Sequence, residues 1–138
     1  MTRAAITIAF FGVLFCLLSV VLGALAAHAV KSTFGPSSYD TFSLASQYQF
    51  YHGLGLLALA VFQNKYKNNY FTFAFISFSI GILLFSGSLY LLAVKSLLIP
   101  VVIKIIGPLT PIGGVFFIIG WIFFLIGIVK SRAHKSVV

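Results

Sequence analysis

The sequence predicts an all-α integral membrane protein, a single four-helix bundle that crosses the bilayer four times. Hydrophobic residues make up 61% of the 138 residues and charged residues only 7%, and the mean hydropathy is +1.14. A soluble domain carries about 25% charged residues, so this chain lacks the polar surface that water requires. Its apolar runs show no strand-like alternation, and helices satisfy their own backbone hydrogen bonds in lipid. We therefore expect one membrane domain over residues 1–138.

The first two spans are predicted at 4–29 and 44–63. The first run exceeds the roughly 7–15 apolar residues of a cleavable signal peptide, so we expect a retained membrane span. Gly35 and Pro36 interrupt the chain after it, and Ser37 followed by Asp40 has the spacing of a capping box. The second helix is thus expected to start outside the membrane with Ser37 as its cap. Residues 63–69 are expected to form a polar turn.

The other two spans are predicted at 70–94 and 111–129. The run 70–94 exceeds the ~20 residues that a bilayer core requires. Thr110 and Pro111 form a helix-start signature, because threonine supplies a capping oxygen and proline loses no needed N–H there. Residues 97–106 are apolar but too short to cross the bilayer. We expect an interfacial segment there, with Lys104 reaching water.

The distribution of charge predicts the orientation. The formal charge of +8 comes from basic residues that flank the spans and form no stripe, which argues against a nucleic-acid partner and leaves the lipid bilayer. Four spans place both termini on one side, and lysine and arginine accumulate on the cytoplasmic side of membrane proteins. We therefore predict that both termini are cytoplasmic. That side carries Arg3, Lys65, Lys67, Lys130, Arg132 and Lys135, and the other carries Lys31, Lys95, Lys104 and the single acid, Asp40.

Small residues recur along one face of three predicted spans, as expected where helix backbones approach closely in lipid. They follow steps of three or four in the first span and steps of seven in the fourth. These stripes predict packing seams and a tight bundle with little room for a wide pore. The positions are Gly12, Cys16, Ser19, Gly23 and Ala27 in the first span, Ser77, Gly81 and Ser88 in the third, and Gly113, Gly120 and Gly127 in the fourth.

Polar side chains within the spans gather toward the predicted outer half of the membrane. An unpaired polar group in lipid is costly, so we expect these side chains to point at one another in a hydrogen-bonded cluster that links the first three spans. Tyr90 also fits an interfacial anchor, and Trp121 is expected to pack against a neighbouring helix. The predicted cluster consists of His28, Tyr48, Gln49, His52, Ser86, Ser88, Tyr90 and Thr110.

Three interpretations of this cluster compete. In the first, it fixes helix packing or docks a partner, which would be another protein or a second copy of the chain. In the second, His28 and His52 bind a small cofactor or ligand such as haem, a quinone or a metal ion, because ionisable residues within membranes often serve a function. In the third, the chain is a subunit of a small transporter or channel. The identity of any cofactor stays open.

The sequence offers no catalytic constellation. The spans contain no pair of carboxylates, no phosphate-binding glycine loop and no nucleophile elbow. Cys16 is the only cysteine, so it forms no intrachain disulfide, and the pattern shows no complete metal site. The combination of Ser86, Ser88 and a histidine is too common to indicate hydrolysis. We therefore predict a protein without enzymatic activity.

Four motifs, in order, resemble a family of small four-span bacterial membrane proteins of unknown function, which has small transmembrane relatives in animals. They are GALAAHA at 23–29, QYQFYHGLGLL at 47–57, LFSGSLYLL at 84–92, and TPIGG at 110–114 with Gly120 and Trp121. The resemblance covers nearly the whole chain. It implies a multi-pass protein of the bacterial cytoplasmic membrane with no established activity.

The resemblance also marks individual positions. Two features depart from the family's pattern. Ala27 stands where such proteins often carry glycine, and the connection at 95–109 is longer and more apolar than usual. The positions that coincide with the family's motifs are His28, Gln47, Tyr48, His52, Ser86, Gly87, Ser88, Tyr90, Thr110, Pro111, Gly113, Gly114 and Trp121.

Overall fold

The structure, a computed structural model, describes residues 1–133, and these contain helices and turns but no strand. The all-α class is therefore confirmed. Three stretches are long and apolar enough to cross a membrane, namely Arg3–Phe34, Asn69–Ala93 and Pro100–Ser131. The helices are α1 (Arg3–Phe34), α2 (Pro36–Tyr66), α3 (Asn69–Ala93), the short α4 (Pro100–Ile106) and α5 (Leu109–Ala133).

The four long helices pack around a central pair. α2 and α3 lie at the centre, α1 packs mainly on α2, and α5 packs mainly on α3. Phe11 of α1 also reaches Phe75 of α3, with ring centroids 5.7 Å apart, and Trp121 of α5 reaches His52 of α2. The largest buried cluster is rich in phenylalanine and is shared by the four long helices.

The junction between α1 and α2 is tighter than the sequence predicts. α1 continues to Phe34, and α2 starts at Pro36 immediately after Gly35. Gly35 has a φ of 86°, a conformation that favours glycine because it has no Cβ. The predicted cap at Ser37 is therefore wrong: Gly35 precedes the first helical residue, and the Ser37 carbonyl accepts a hydrogen bond from the Thr41 hydroxyl.

The junction between α2 and α3 is also shorter than the predicted turn at 63–69. α2 extends through Gln63, which is buried, and ends at Tyr66. Lys67 adopts the left-handed conformation, with a φ of 49°. The Asn68 side chain then caps α3 by accepting a hydrogen bond from the Tyr70 N–H, at 3.1 Å.

The segment predicted to lie at the interface is partly helical. A single 3₁₀ turn at Lys95–Leu97 precedes α4, in which Lys104 is exposed and Ile106 is buried. α5 then begins at Leu109, one residue before the predicted capping residue Thr110. The Thr110 hydroxyl is bonded to Ser88 of α3, so it joins two helices.

Two π-turns interrupt the long helices, at Ala26–Val30 in α1 and at Ile82–Ser86 in α3. A π-turn holds an extra residue, so the side chains beyond it rotate to a different face. At the start of the first π-turn, Ala26 is fully buried and Ala27 is exposed. This corrects the predicted stripe, which follows regular helical steps to Ala27.

One end of the bundle holds both the first residues and the end of α5. The Thr2 backbone N–H donates to Asn64 Oδ1 at 2.9 Å, and Lys130 Nζ donates to the Tyr70 hydroxyl at 2.9 Å. We call this the basic end, because Lys65 and Lys67 lie there too. His134 and Lys135 lie outside the described residues.

Candidate functional site

His52 lies in the interior between α2 and α5. Its side chain is 6% exposed, and its ring stacks on the Phe117 ring with centroids 3.5 Å apart and planes 7° apart. Nδ1 lies 2.8 Å from the Tyr48 carbonyl oxygen, and Nε2 accepts a hydrogen bond of 3.3 Å from Trp121 Nε1. An indole N–H only donates, so Nε2 carries the lone pair and Nδ1 carries the proton. Both ring nitrogens are therefore engaged.

Gln49 joins three helices. Its side chain is 4% exposed. Nε2 donates to the Phe15 carbonyl of α1 at 2.9 Å, and Oε1 accepts from the Tyr90 hydroxyl of α3 at 3.0 Å. Tyr90 is thus turned into the bundle, where its ring lies 4.6 Å from that of Phe42, and it does not act as the interfacial anchor that the sequence also suggested.

Two further polar contacts join pairs of helices. The Ser88 and Thr110 hydroxyl oxygens lie 2.6 Å apart and connect α3 with α5. Because Ser88 also donates to the Phe85 carbonyl at 2.9 Å, Thr110 is the donor to Ser88. The Ser19 hydroxyl donates to the Ser46 carbonyl at 2.7 Å and connects α1 with α2.

The remaining predicted members take no such part. Tyr48 is 36% exposed and contributes its ring, which lies 4.7 Å from that of Phe85, and its carbonyl, which faces His52. Ser86 is fully buried in the π-turn of α3, and its hydroxyl has no hydrogen-bond partner among the described residues. The structure thus shows separate pairs of contacts in place of the single predicted cluster.

His28 lies far from His52. Its side chain is exposed. Gly53, the neighbour of His52, packs against Gly12 of α1, and His28 follows Gly12 by 16 residues, or roughly 24 Å at a helical rise of 1.5 Å per residue. His28 and His52 cannot ligate one iron or metal ion in this arrangement. Among residues 1–133, no group of three or more histidine, cysteine or acidic side chains is placed to hold a metal.

The predicted small residues of α1 other than Ala27 lie where it meets α2. A Cβ added to Gly12 would come within 3.1 Å of the Gly53 carbonyl oxygen, and one added to Gly53 within 3.2 Å of the Cys16 backbone nitrogen. Gly23 is less crowded, with the Ser46 hydroxyl 3.6 Å from such a Cβ. The backbones of α1 and α2 therefore approach closely around Gly12 and Gly53.

The glycines of α5 receive phenylalanines of α3 in antiparallel order. Gly127 and Gly120 face the rings of Phe71 and Phe78, and Gly113 faces the backbone of Phe85. The exchange is reciprocal at Gly81 of α3, which faces the Phe117 ring. Both sets recur at steps of seven, the spacing that keeps two helices in contact. We call this contact the glycine–phenylalanine seam.

The sequence interpretation missed several of these features. It identified the glycines of the seam but not their partners, although Phe71, Phe78 and Phe85 follow the same seven-residue spacing. It also missed that Trp121 donates to His52. A groove of about 540 Å³ runs beside this contact, and Tyr48, Phe117 and Trp121 line it. No local pattern in the sequence distinguishes Trp121 from an ordinary packing residue.

Comparison with known proteins places the chain in a family. Residues 22–114 match the family described as "Protein of unknown function (DUF423)". The chain is 40% identical over 86 residues to the UPF0382 membrane protein SSP2132 of Staphylococcus saprophyticus, which covers 62% of this chain and 71% of that protein. It is 36% identical over 86 residues to the UPF0382 membrane protein SH2409 of Staphylococcus haemolyticus, covering 62% and 70%.

A relative from another bacterial group carries a more specific description. The UPF0382 inner membrane protein YgdD of Escherichia coli is 36% identical over 78 residues, which span 56% of this chain and 60% of that protein. No solved structure matches the chain. The matched region holds Gln49, His52 and the Ser88–Thr110 pair, so these residues lie within the shared part of the sequence, whereas Gly12 and Trp121 lie outside it. The chain is a membrane protein with transmembrane helices that belongs to the DUF423, or UPF0382, family of unknown function.

Proposed function

We propose that the chain is a non-catalytic scaffold of the bacterial cytoplasmic membrane, with four spans held in a fixed arrangement by its interior polar side chains. One observation supports this most directly. The interior polar groups that the structure brings together form hydrogen bonds between helices. These contacts are Gln49 with Phe15 and Tyr90, Ser19 with Ser46, Ser88 with Thr110, and His52 with Trp121.

The energies favour such a role. A hydrogen bond between helices in a membrane contributes about 0.6–2 kcal/mol, whereas a buried polar group without a partner costs roughly 2–7 kcal/mol. Each pair therefore contributes little to stability by itself but strongly disfavours arrangements that separate its members. The cost of separating these pairs therefore favours the observed arrangement of α1, α2, α3 and α5 over other arrangements.

The same geometry argues against hydrolytic chemistry and against a histidine-ligated cofactor. His52 directs one nitrogen to the Tyr48 carbonyl and the other to the Trp121 indole. Neither nitrogen is directed at the hydroxyl of Ser86 or Ser88. A lone pair for a metal or haem iron would become available only if Trp121 moved away.

The proposal includes four crossings. α2 is less apolar than the other long helices, yet its 31 residues are long enough to span a bilayer. The polar residues that lower its hydropathy include Gln49, His52 and Gln63, and all three are buried against neighbouring helices. Because none of them faces lipid, and Gln49 and His52 have hydrogen-bond partners, they oppose insertion of α2 less than exposed polar residues would. Four crossings and a basic end rich in lysine favour cytoplasmic termini.

The role of Gln49 is tested by comparing Gln49→Leu with Gln47→Leu. The two residues are of the same type and lie two positions apart, but Gln47 is exposed. Gln49→Leu should lower the free energy of unfolding by about 1–3 kcal/mol, because the Tyr90 hydroxyl loses its buried partner. Gln47→Leu should leave it unchanged or raise it slightly. Unfolding is followed by circular dichroism of the purified protein in detergent.

The outcomes separate the alternatives. Equal stability of the Gln49→Leu variant and the parent protein would contradict a packing role for this side chain. An absorption band of a cofactor in protein purified from its native membrane, lost in the His52→Ala variant but retained in the His28→Ala variant, would replace the scaffold with a cofactor site at His52.

A further inference from the structure

A cleft lies at the basic end of the bundle, away from the interior polar pairs. Its volume is about 610 Å³, and it opens where the connection between α2 and α3 meets the last turns of α5. Lys65, Lys67 and Lys130 line it, with Tyr66 and Tyr70 between them. All three lysines are exposed, so their ammonium groups are accessible to a ligand.

The positive charge of this cleft is not neutralised by acidic side chains. The only one in the chain is Asp40, in the early part of α2, and Tyr66 at the end of that helix lies roughly 39 Å away at 1.5 Å per residue. The N-terminus of α3 adds a partial positive charge at the same place, and the C-termini of α2 and α5 offset it, so the lysines provide the net charge of the cleft.

Tyrosines hold two of the lysines beside the cleft without removing their charge. Lys65 Nζ lies 5.3 Å from the centroid of the Tyr66 ring. Lys130 Nζ lies 4.8 Å from the centroid of the Tyr70 ring and donates to its hydroxyl. Cation–π contacts of this kind orient an ammonium group, and the remaining donors stay free for an anion.

A small apolar groove adjoins the cleft. It has a volume of about 170 Å³ and is lined by Val61, Phe62, Lys65 and Tyr66. Lys65 and Tyr66 are shared with the cleft, whereas Val61 and Phe62 lie one turn further into the apolar part of α2. A site that is basic at the membrane surface and apolar toward the membrane interior is complementary to an anionic amphiphile.

We propose that this surface binds one anionic phospholipid of the membrane. The phosphate lies among Lys65, Lys67 and Lys130, and the start of an acyl chain lies against Val61 and Phe62. Basic pockets between the ends of transmembrane helices attract anionic headgroups in this way. The apolar groove distinguishes this ligand from free phosphate, which has no group to place there.

The test uses the full-length protein in a neutral detergent and measures bound lipid by native mass spectrometry. The probes are phosphatidylglycerol and phosphatidylcholine with the same acyl chains, and free glycerophosphate as a competitor. The variant Lys65→Gln, Lys67→Asn, Lys130→Gln removes the charge, and asparagine at position 67 tolerates the left-handed backbone. The matched control, Lys31→Gln, Lys95→Gln, Lys104→Gln, removes as many lysines from the opposite end.

The parent protein and the control should retain one phosphatidylglycerol in preference to phosphatidylcholine. The cleft variant should bind it at least about tenfold more weakly, because lysines at a membrane surface each contribute to the attraction of anionic lipid. The single Lys67→Asn variant should show a smaller loss, and it serves if the triple variant does not keep the circular dichroism spectrum of the parent.

Three results would overturn the proposal. One is equal binding of phosphatidylcholine. Another is an equal loss in the control variant, which would indicate diffuse attraction by net charge. The third is displacement of the lipid by glycerophosphate at comparable concentration, which would indicate a site for a soluble phosphate compound.

Discussion

The His52 side chain uses its ring and both of its nitrogens in packing contacts and hydrogen bonds within the bundle. Its ring is stacked on Phe117, and its two nitrogens face Tyr48 and Trp121. A histidine in a membrane span is often a functional group, but a functional imidazole needs a free nitrogen. At this position both are used, which favours the packing interpretation.

Replacing each histidine in turn tests this difference. His52→Ala should lower the free energy of unfolding by roughly 2–4 kcal/mol, because the ring packing is lost and the indole N–H loses its partner. His28→Ala should change it by less than about 0.5 kcal/mol, as is usual for an exposed side chain. Both values come from thermal unfolding in the same detergent. Similar losses in the two variants would contradict the placement of His28 outside the polar contacts.

At the scale of the helices, the glycine–phenylalanine seam fixes the register of α3 against α5. The rings of Phe71 and Phe78 and the backbone of Phe85 occupy the space that Cβ atoms on the facing glycines of α5 would need. Sliding one helix by a single residue would bring rings against larger side chains. The seam therefore specifies one register by shape, whereas the Ser88–Thr110 pair specifies it by hydrogen bonding.

The seam predicts opposite effects for two glycines. Gly120→Ala should destabilise the protein by about 1–3 kcal/mol, because the new Cβ would lie 2.5 Å and 2.6 Å from two carbons of the Phe78 ring. Gly87→Ala, in α3 with no atom within 4 Å of the added Cβ, should be neutral or stabilise by about 0.5–1 kcal/mol. Chemical unfolding in mixed micelles measures both.

A second substitution makes this test more specific. Combining Gly120→Ala with Phe78→Leu should recover part of the loss, because the smaller side chain vacates the space. Additive losses in the double variant would show that the two residues do not share that space.

Much of this arrangement could be predicted from the sequence. The glycine spacing identified the packing face of α5, and the cost of unpaired polar groups in lipid correctly paired Gln49 with neighbouring helices. The π-turns could not be predicted, because no residue type at Ala26–Val30 or Ile82–Ser86 demands an extra residue per turn. The first π-turn begins at Ala26, which is buried where the sequence predicted Ala27, and the second contains Phe85, whose backbone faces Gly113.

At the scale of the whole molecule, the two ends of the bundle hold different polar and charged groups. The first residues, the turn between α2 and α3, and the last turns of α5 meet at the basic end. Asp40, α4 and the exposed His28 lie toward the opposite end. This division gives the proposed orientation a direct test, since a bilayer around α1, α2, α3 and α5 would separate the two ends.

Cysteine labelling tests the proposed orientation and the crossing by α2. In a Cys16→Ala background, Thr33→Cys, Asn69→Cys and Leu97→Cys each place a thiol at an exposed position. A membrane-impermeant maleimide added to intact cells should label the T33C and L97C variants, and the N69C variant only after permeabilisation. The reverse pattern would invert the orientation. Labelling of the T33C and N69C variants from the same side would show that α2 does not cross.

The hydrogen bond between Trp121 and His52 has a practical consequence. Trp121 is the only tryptophan of the chain, so the protein carries a single strong intrinsic fluorophore, and its indole nitrogen is tied to one defined acceptor. The wavelength and lifetime of its emission therefore report on one point where α2 meets α5. Any ligand, lipid or partner that separates these two helices will shift that emission, and no dye needs to be attached to observe it.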